Sequence, residues 1–166
     1  MKTLVVYDSY FGNTEKIALS IAGVFMTNDH QLAYRADQAG ESLPDDLDLL
    51  IIGAPTQKFQ ATAGIKAFIG KLPKEQLRGL KIAVFDTRVS TDDVKAAFLR
   101  FLINLFGYAA PKLRKLLARK GAKPVGEPEG FYVKDTKGPL HEGELERSEK
   151  WARKIKQAVE AQEAVA

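Results

Sequence analysis

The chain reads as a single α/β domain built on a parallel sheet with helices on both faces. Two observations lead there. Short apolar, β-branched runs alternate with stretches of helical periodicity along all 166 residues, the pattern of repeated strand–helix units with right-handed crossovers. One of the runs, Leu49-Leu50-Ile51-Ile52, is apolar without interruption, as a strand covered on both faces must be.

The elements follow in order. Lys2 to Tyr7 is the first strand and Asp8 to Thr14 a polar loop. Ile17, Ala18, Ile21, Ala22 and Phe25 then form one apolar helix face, with Asn13 or Thr14 expected at its N-cap. Gln31 to Ala36 reads as a short edge strand. Asp37 to Asp48, with Pro44 and four Asp, reads as a loop. Leu49 to Gly53 is the third strand and Ala54 to Ala63 another loop. Ile65, Phe68, Ile69 and Leu72 mark a short helix stopped near Pro73, and Gly79 a turn. Lys81 to Phe85 is the fourth strand, followed by a loop from Asp86 to Ser90.

Ser90 with Asp93 matches a capping box, which opens a helix expected to run to Phe106 and stop at Gly107. Pro111 suits the first turn of the next helix, which ends at Gly121. Phe131-Tyr132-Val133 is the last strand, and Gly138-Pro139 breaks the chain. A final helix spans Glu144 to Gln162 with Leu145, Ser148, Ala152, Ile155 and Val159 on one face. Trp151 lies beside that face as a core anchor.

Composition narrows the function. Without Cys there is no disulfide, thiolate chemistry or zinc ribbon. Hydrophobic content of 45% with 28% charged residues is that of a soluble globular protein. No apolar run approaches the roughly 20 residues that span a bilayer. The N-terminal stretch reads as a strand rather than a signal peptide, so a cytoplasmic location is expected.

The loop Ser9-Tyr10-Phe11-Gly12-Asn13-Thr14 joins a buried strand to a helix start. Backbone N–H groups and the helix dipole converge there, which makes it a candidate phosphate cradle. This loop resembles the phosphate-binding loop of the flavodoxin family, whose members hold FMN non-covalently. Gly53-Ala54-Pro55-Thr56, after the third strand, is similar to the family's second FMN loop. The resemblance implies a flavodoxin-like three-layer sandwich with a five-stranded parallel sheet of order 2-1-3-4-5. Ligands then bind beside the first and third strands, where that order reverses.

The resemblance also assigns the site. Ser9, Tyr10, Phe11, Gly12, Asn13 and Thr14 would hold the phosphate. The ring would lie between Pro55, Thr56, Gln57, Lys58 and Phe59 on one side and Asp86, Thr87 and Arg88 on the other. Phe59 is the nearest aromatic to the stacking position. Arg88 would stack on the ring or stand near its N1 and O2 edge. Alternatively, Asp86 and Arg88 form a surface ion pair of little value. Between Thr56 and Thr62 this chain lacks the glycine that typical members use to turn a peptide toward the flavin. The half-reduced cofactor would accordingly be weakly stabilised.

Val94 to Gly126 carries eight cations and no acid, leaving 17 Lys and Arg against 21 Asp and Glu elsewhere. Typical flavodoxins place one helix between strands four and five. Here there are two, so the stretch from about 91 to 107 reads as an extra helix inserted into the single domain 1–166. The basic, apolar segment 94–123 suits a homodimer partner, an acidic redox partner or an anionic membrane surface.

Other motifs fail. Gly64 to Gly70-Lys71 has five residues between its glycines and Leu72 after the Lys, so it is no phosphate-binding Walker loop. Gly-x-Gly-x-x-Gly is absent after strand one, and no Asp ends strand three as a receiver domain requires. His30 and His141 lack metal-ligand company, and nothing marks a nucleic-acid binder. Three functions stay open: an FMN-binding protein exchanging electrons with a partner protein, an FMN-dependent reductase or oxidase using a quinone-like acceptor, and a cofactor-free interaction domain.

Overall fold

A computed structural model describes residues 1–26, 32–90 and 96–164. In chain order the elements are β1 (Thr3–Tyr7), α1 (Asn13–Phe25), β2 (Ala33–Arg35), β3 (Leu49–Pro55), α2 (Ala63–Lys71), α3 (Lys74–Leu77), β4 (Lys81–Val89), α4 (Ala97–Phe106), α5 (Ala109–Arg119), β5 (Lys123–Pro124), β6 (Glu129–Val133) and α6 (Glu144–Glu163). The sheet is parallel with order β2-β1-β3-β4-β5, and β6 also pairs with β4. The expected 2-1-3-4-5 order is therefore present. Its fifth strand comes in two pieces. Ile82 pairs with Pro124 and Phe85 with Glu129, so four residues of the edge oppose two of β4. Gly126, at φ +64°, makes the detour.

Alternation along the three central strands builds two cores. Val5, Tyr7, Leu49, Ile51, Ala83 and Phe85 face α1 and α6. Val6, Leu50, Ile52, Ala54, Ile82 and Val84 face α2, α3 and α5. This is the strand period of two expressed in a sheet with both faces covered. On the first face, Phe85, Phe131 and Trp151 meet edge-to-face with ring centroids 5.9, 6.1 and 6.3 Å apart. Each such pair contributes about 0.5–1.5 kcal/mol beyond its area. The triad pins α6 to the broken edge, so Trp151 is the anchor expected.

Several boundaries differ from expectation. β4 continues through Val89, so the expected loop from Asp86 to Ser90 is strand in all but its last residue. The cause is the partner: β6 pairs with it from Phe85 to Val89. Gly12, at φ +81°, is the N-cap of α1, and Asn13 and Thr14 are its first two helical residues. The buried face of α6 runs through Ser148, Trp151, Ala152, Ile155 and Val159, whereas Leu145 is exposed. A short α3 follows Pro73, its N-cap. Gln31, His30 and the capping-box residue Asp93 lie outside the described residues. Among the described residues, no helix is long and apolar enough to cross a membrane.

Gly53 lies between Tyr7 and Phe85 in register. A Cβ there would stand 2.0 Å from Phe85 Cζ. Gly53→Ala is expected to destabilise the protein by roughly 2–3 kcal/mol through overpacking, read as a lower urea midpoint.

Candidate functional site

Four chain segments at the carboxyl ends of β1, β3, β4 and β6 enclose a cleft of about 700 Å³. It lies where the strand order reverses, the place topology reserves for ligands in open α/β sheets.

The first wall is the loop into α1. Asp8 Oδ1 accepts from Ser9 N at 2.9 Å, and Arg35 Nη1 donates to Ser9 O at 3.1 Å, holding the loop backbone from behind. Tyr10 and Phe11 project from it, half exposed. No side chain caps the first N–H groups of α1, and its first two residues, Asn13 and Thr14, line the cleft at the positive end of the helix dipole. Tyr7 hydroxyl donates to Glu15 Oε1 at 2.9 Å. Burial first, then this bond, pushes the phenol up to about 12. Ser9 is 5% exposed and lines the cleft, and among the described residues its Oγ has no hydrogen-bond partner. A buried hydroxyl without a partner costs about 1–3 kcal/mol; Thr3 Oγ1, which does not line the cleft, is unpartnered in the same way.

Asn13 and Thr14 serve the architecture as well. Thr14 Oγ1 and Thr87 Oγ1 are 2.8 Å apart, which locks the first loop to β4. Asn13 Nδ2 donates to Lys137 O at 3.0 Å, which locks it to the loop after β6. A Cβ on Gly138 would come within 2.4 Å of Asn13 Nδ2.

The second wall is Pro55 to Phe59. Thr56 N donates to Thr87 O at 2.9 Å. Thr56 Oγ1 accepts from Ala109 N at 3.0 Å, so this hydroxyl is spent on the start of α5. Gln57 and Gln60 exchange backbone hydrogen bonds around Lys58 and Phe59, whose φ angles are +46° and +64°. Two positive φ values are those of a type I′ turn, which normally selects Asn and Gly. The missing glycine therefore did not prevent a left-handed backbone here. External contacts hold the strained pair: Lys112 Nζ donates to Phe59 O at 2.6 Å, and the Phe59 and Phe106 rings lie 5.4 Å apart.

The third wall is the end of β4. Asp86 is fully buried and is not on the cleft surface. Arg88 donates Nε and Nη2 to its two oxygens, the latter at 2.7 Å. Ala110 N donates to Oδ2 at 2.7 Å, and the Thr56 hydroxyl gives a further bond. Burial pushes the Asp86 carboxyl above its ordinary value, while Arg88, Ala110 and Thr56 pull it back down. Arg88 also lies over the Tyr108 ring, 3.8 Å from its centroid. The pair is therefore buried rather than a surface ion pair, and Arg88 is already stacked and paired within the protein.

Ser9, Tyr10, Phe11, Asn13, Thr14, Pro55, Thr56, Gln57, Lys58, Phe59, Thr87 and Arg88 all reach the cleft, and Gly12 and Asp86 do not. Sequence reasoning missed Ile103, Tyr108 and the fourth segment, Val133 to Thr136. An aromatic placed directly after Gly107, at a helix start, was the available signal for Tyr108. The fourth segment was accessible from topology, since it leaves the carboxyl end of the last strand. Among the described residues, no group of three or more His, Asp or Glu is placed to hold a metal ion.

No family model and no curated protein sequence matches the chain. Solved structures do. A flavodoxin from the domain Archaea superimposes with a TM-score of 0.67 at 16% identity, covering 96% of this chain and 99% of the other. Flavodoxin 2 from Bacillus cereus gives 0.64 at 22%, covering 95% and 99%. Rubredoxin oxygen:oxidoreductase from Desulfovibrio gigas gives 0.68 at 18%, covering 98% of this chain but 37% of the other. At these identities the likeness shows the fold: the chain has the flavodoxin-like α/β fold.

Arg88→Gln strands a desolvated carboxylate and is expected to cost roughly 3 kcal/mol; the Asp86→Asn/Arg88→Gln double variant should cost less than the sum. Burial already holds the Asp86 carboxyl above its ordinary value in the wild type, and without the cation it would bind its proton more tightly still. Stability of Arg88→Gln should then fall more steeply than wild type as pH rises from about 4 toward 7. Lys58→Gly should raise stability by roughly 0.5–1 kcal/mol by relieving left-handed strain, seen as a higher urea midpoint at unchanged slope.

Proposed function

We propose that the cleft binds FMN and that the protein is a flavodoxin-like redox protein exchanging electrons with a partner protein. The observation that carries this is the orphaned, buried Ser9 hydroxyl beside the uncapped N-terminus of α1. A hydroxyl and a fan of N–H donors, aligned with a helix dipole, suit a phosphate ester. In this reading Ser9 and the backbone of Tyr10 to Thr14 hold the phosphate, with Thr14 and Asn13 positioning the loop through Thr87 and Lys137. The flavin ring would be held between the Gln57–Phe59 turn and the Arg88, Val89 and Tyr108 wall. Tyr108 supplies the aromatic surface that the end of β4 lacks, and Arg88 holds it in place. When bound, FMN supplies the electron transfer; the protein orients it and sets the charge around it. The cations of α5 favour an acidic partner at the rim.

FMN titration of the apoprotein, followed by absorbance and fluorescence, tests the reading. Saturable binding is expected. Phe11→Glu sets a carboxylate beside the phosphate loop at an exposed position. It should weaken FMN at least about tenfold while leaving riboflavin, which lacks the phosphate, nearly unchanged. A protein that ignores FMN is instead an interaction domain. Steady-state reduction of a soluble quinone by the holoprotein would move the reading from carrier to reductase.

A further inference from the structure

The inserted helix α4 leaves most of its apolar surface uncovered. Phe98, Phe101 and Leu105 are 72%, 59% and 62% exposed. Spaced three and four residues apart, they form one ridge along the helix. Ile103, on the opposite side of α4, is 7% exposed and lines the cleft. The helix is thus seated by its inner side, while its outer side presents three large apolar side chains to solvent.

Exposed cations stand beside the ridge. Residues 96–126 hold seven Lys and Arg and no Asp or Glu. Arg100 is exposed on α4 itself, and Lys58 is exposed at the neighbouring turn. Lys112 reaches Phe59 O, and the Phe59 ring stacks on Phe106 at the end of α4.

We propose that α4 is a docking helix that seats the protein on an anionic lipid bilayer through Phe98, Phe101 and Leu105. A bilayer interface accepts a convex ridge without a preformed groove, and anionic headgroups match the cations beside it. Ten residues make a helix of about 15 Å, too short to span the roughly 30 Å hydrocarbon core, so it lies in the interface. A second copy is the poorer occupant, because it would bring two acid-free, cationic segments face to face. Docking by this ridge sets α4 between the lipid and the cleft. The surface acts independently of the cofactor reading.

Co-sedimentation of the full chain with vesicles tests it. Binding is expected to vesicles of phosphatidylcholine with phosphatidylglycerol, weaker binding to phosphatidylcholine alone, and loss of the difference at high salt. The Phe98→Ser/Phe101→Ser/Leu105→Ser variant changes only exposed side chains. It should keep the wild-type circular dichroism and FMN titration while binding anionic vesicles at least about tenfold less tightly. Arg100→Gln/Lys58→Gln should lose the preference for anionic lipid. The proposal is overturned if wild type ignores both vesicles, or if the triple variant binds as wild type does. A wild-type dimer that the triple variant abolishes would assign the ridge to a second copy instead. Wild type that ignores vesicles but binds an acidic ferredoxin through the same residues would assign it to a protein partner.

Discussion

The buried carboxylate of Asp86 is the point on which the cleft depends. It sits near the end of β4 and receives hydrogen bonds from Arg88, from Ala110 N and from the Thr56 hydroxyl. Those donors belong to β4, to the first turn of α5 and to the residue after β3. Helix α5 has no cap of its own at Tyr108; Asp86 and Thr56 supply it from the sheet. Desolvating a carboxylate costs several kcal/mol, and complete satisfaction of its oxygens is what makes the burial tolerable. One acid therefore welds the start of α5 to the strand ends.

From that anchor the cleft is assembled by bonds between loops rather than within them. Thr14 meets Thr87, Thr56 N meets Thr87 O, and Asn13 meets Lys137 O. Side chains that look like ligand donors in isolation are spent on holding the walls in register. Gln57, Lys58, Lys134, Asp135 and Thr136 also line the cleft. Ser9 beside the uncapped start of α1 is where a hydroxyl and a helix dipole together favour an anion.

Strain and exposure sit on the same side of the molecule. Lys58 and Phe59 keep left-handed backbones because Lys112 and Phe106 hold them. Such strain persists only where neighbours over-determine it. Helix α4 supplies one of those neighbours, closes part of the cleft with Ile103, and turns its remaining apolar side outward. One helix between β4 and α5 thus shapes both the cleft and the outer surface.

Periodicity and loop chemistry by themselves determined the parallel sheet, the two covering layers and the loop into α1; the strand order came only with the family resemblance of those loops. Those signals are local: a period of two or 3.6 reports the burial of each residue's own element, and Gly12-Asn13-Thr14 reports a strand-to-helix junction. Only the tertiary structure decided where β4 ends, because β6 pairs with Asp86 to Val89 from more than forty residues away. It alone decided that Asp86 is buried, that Thr56 serves α5, and that Tyr108 and Val133 to Thr136 complete the cleft. The physical reason is common to all of these. Each depends on hydrogen bonds and contacts between segments distant in sequence, and no pattern within one segment records which partner the fold will bring to it.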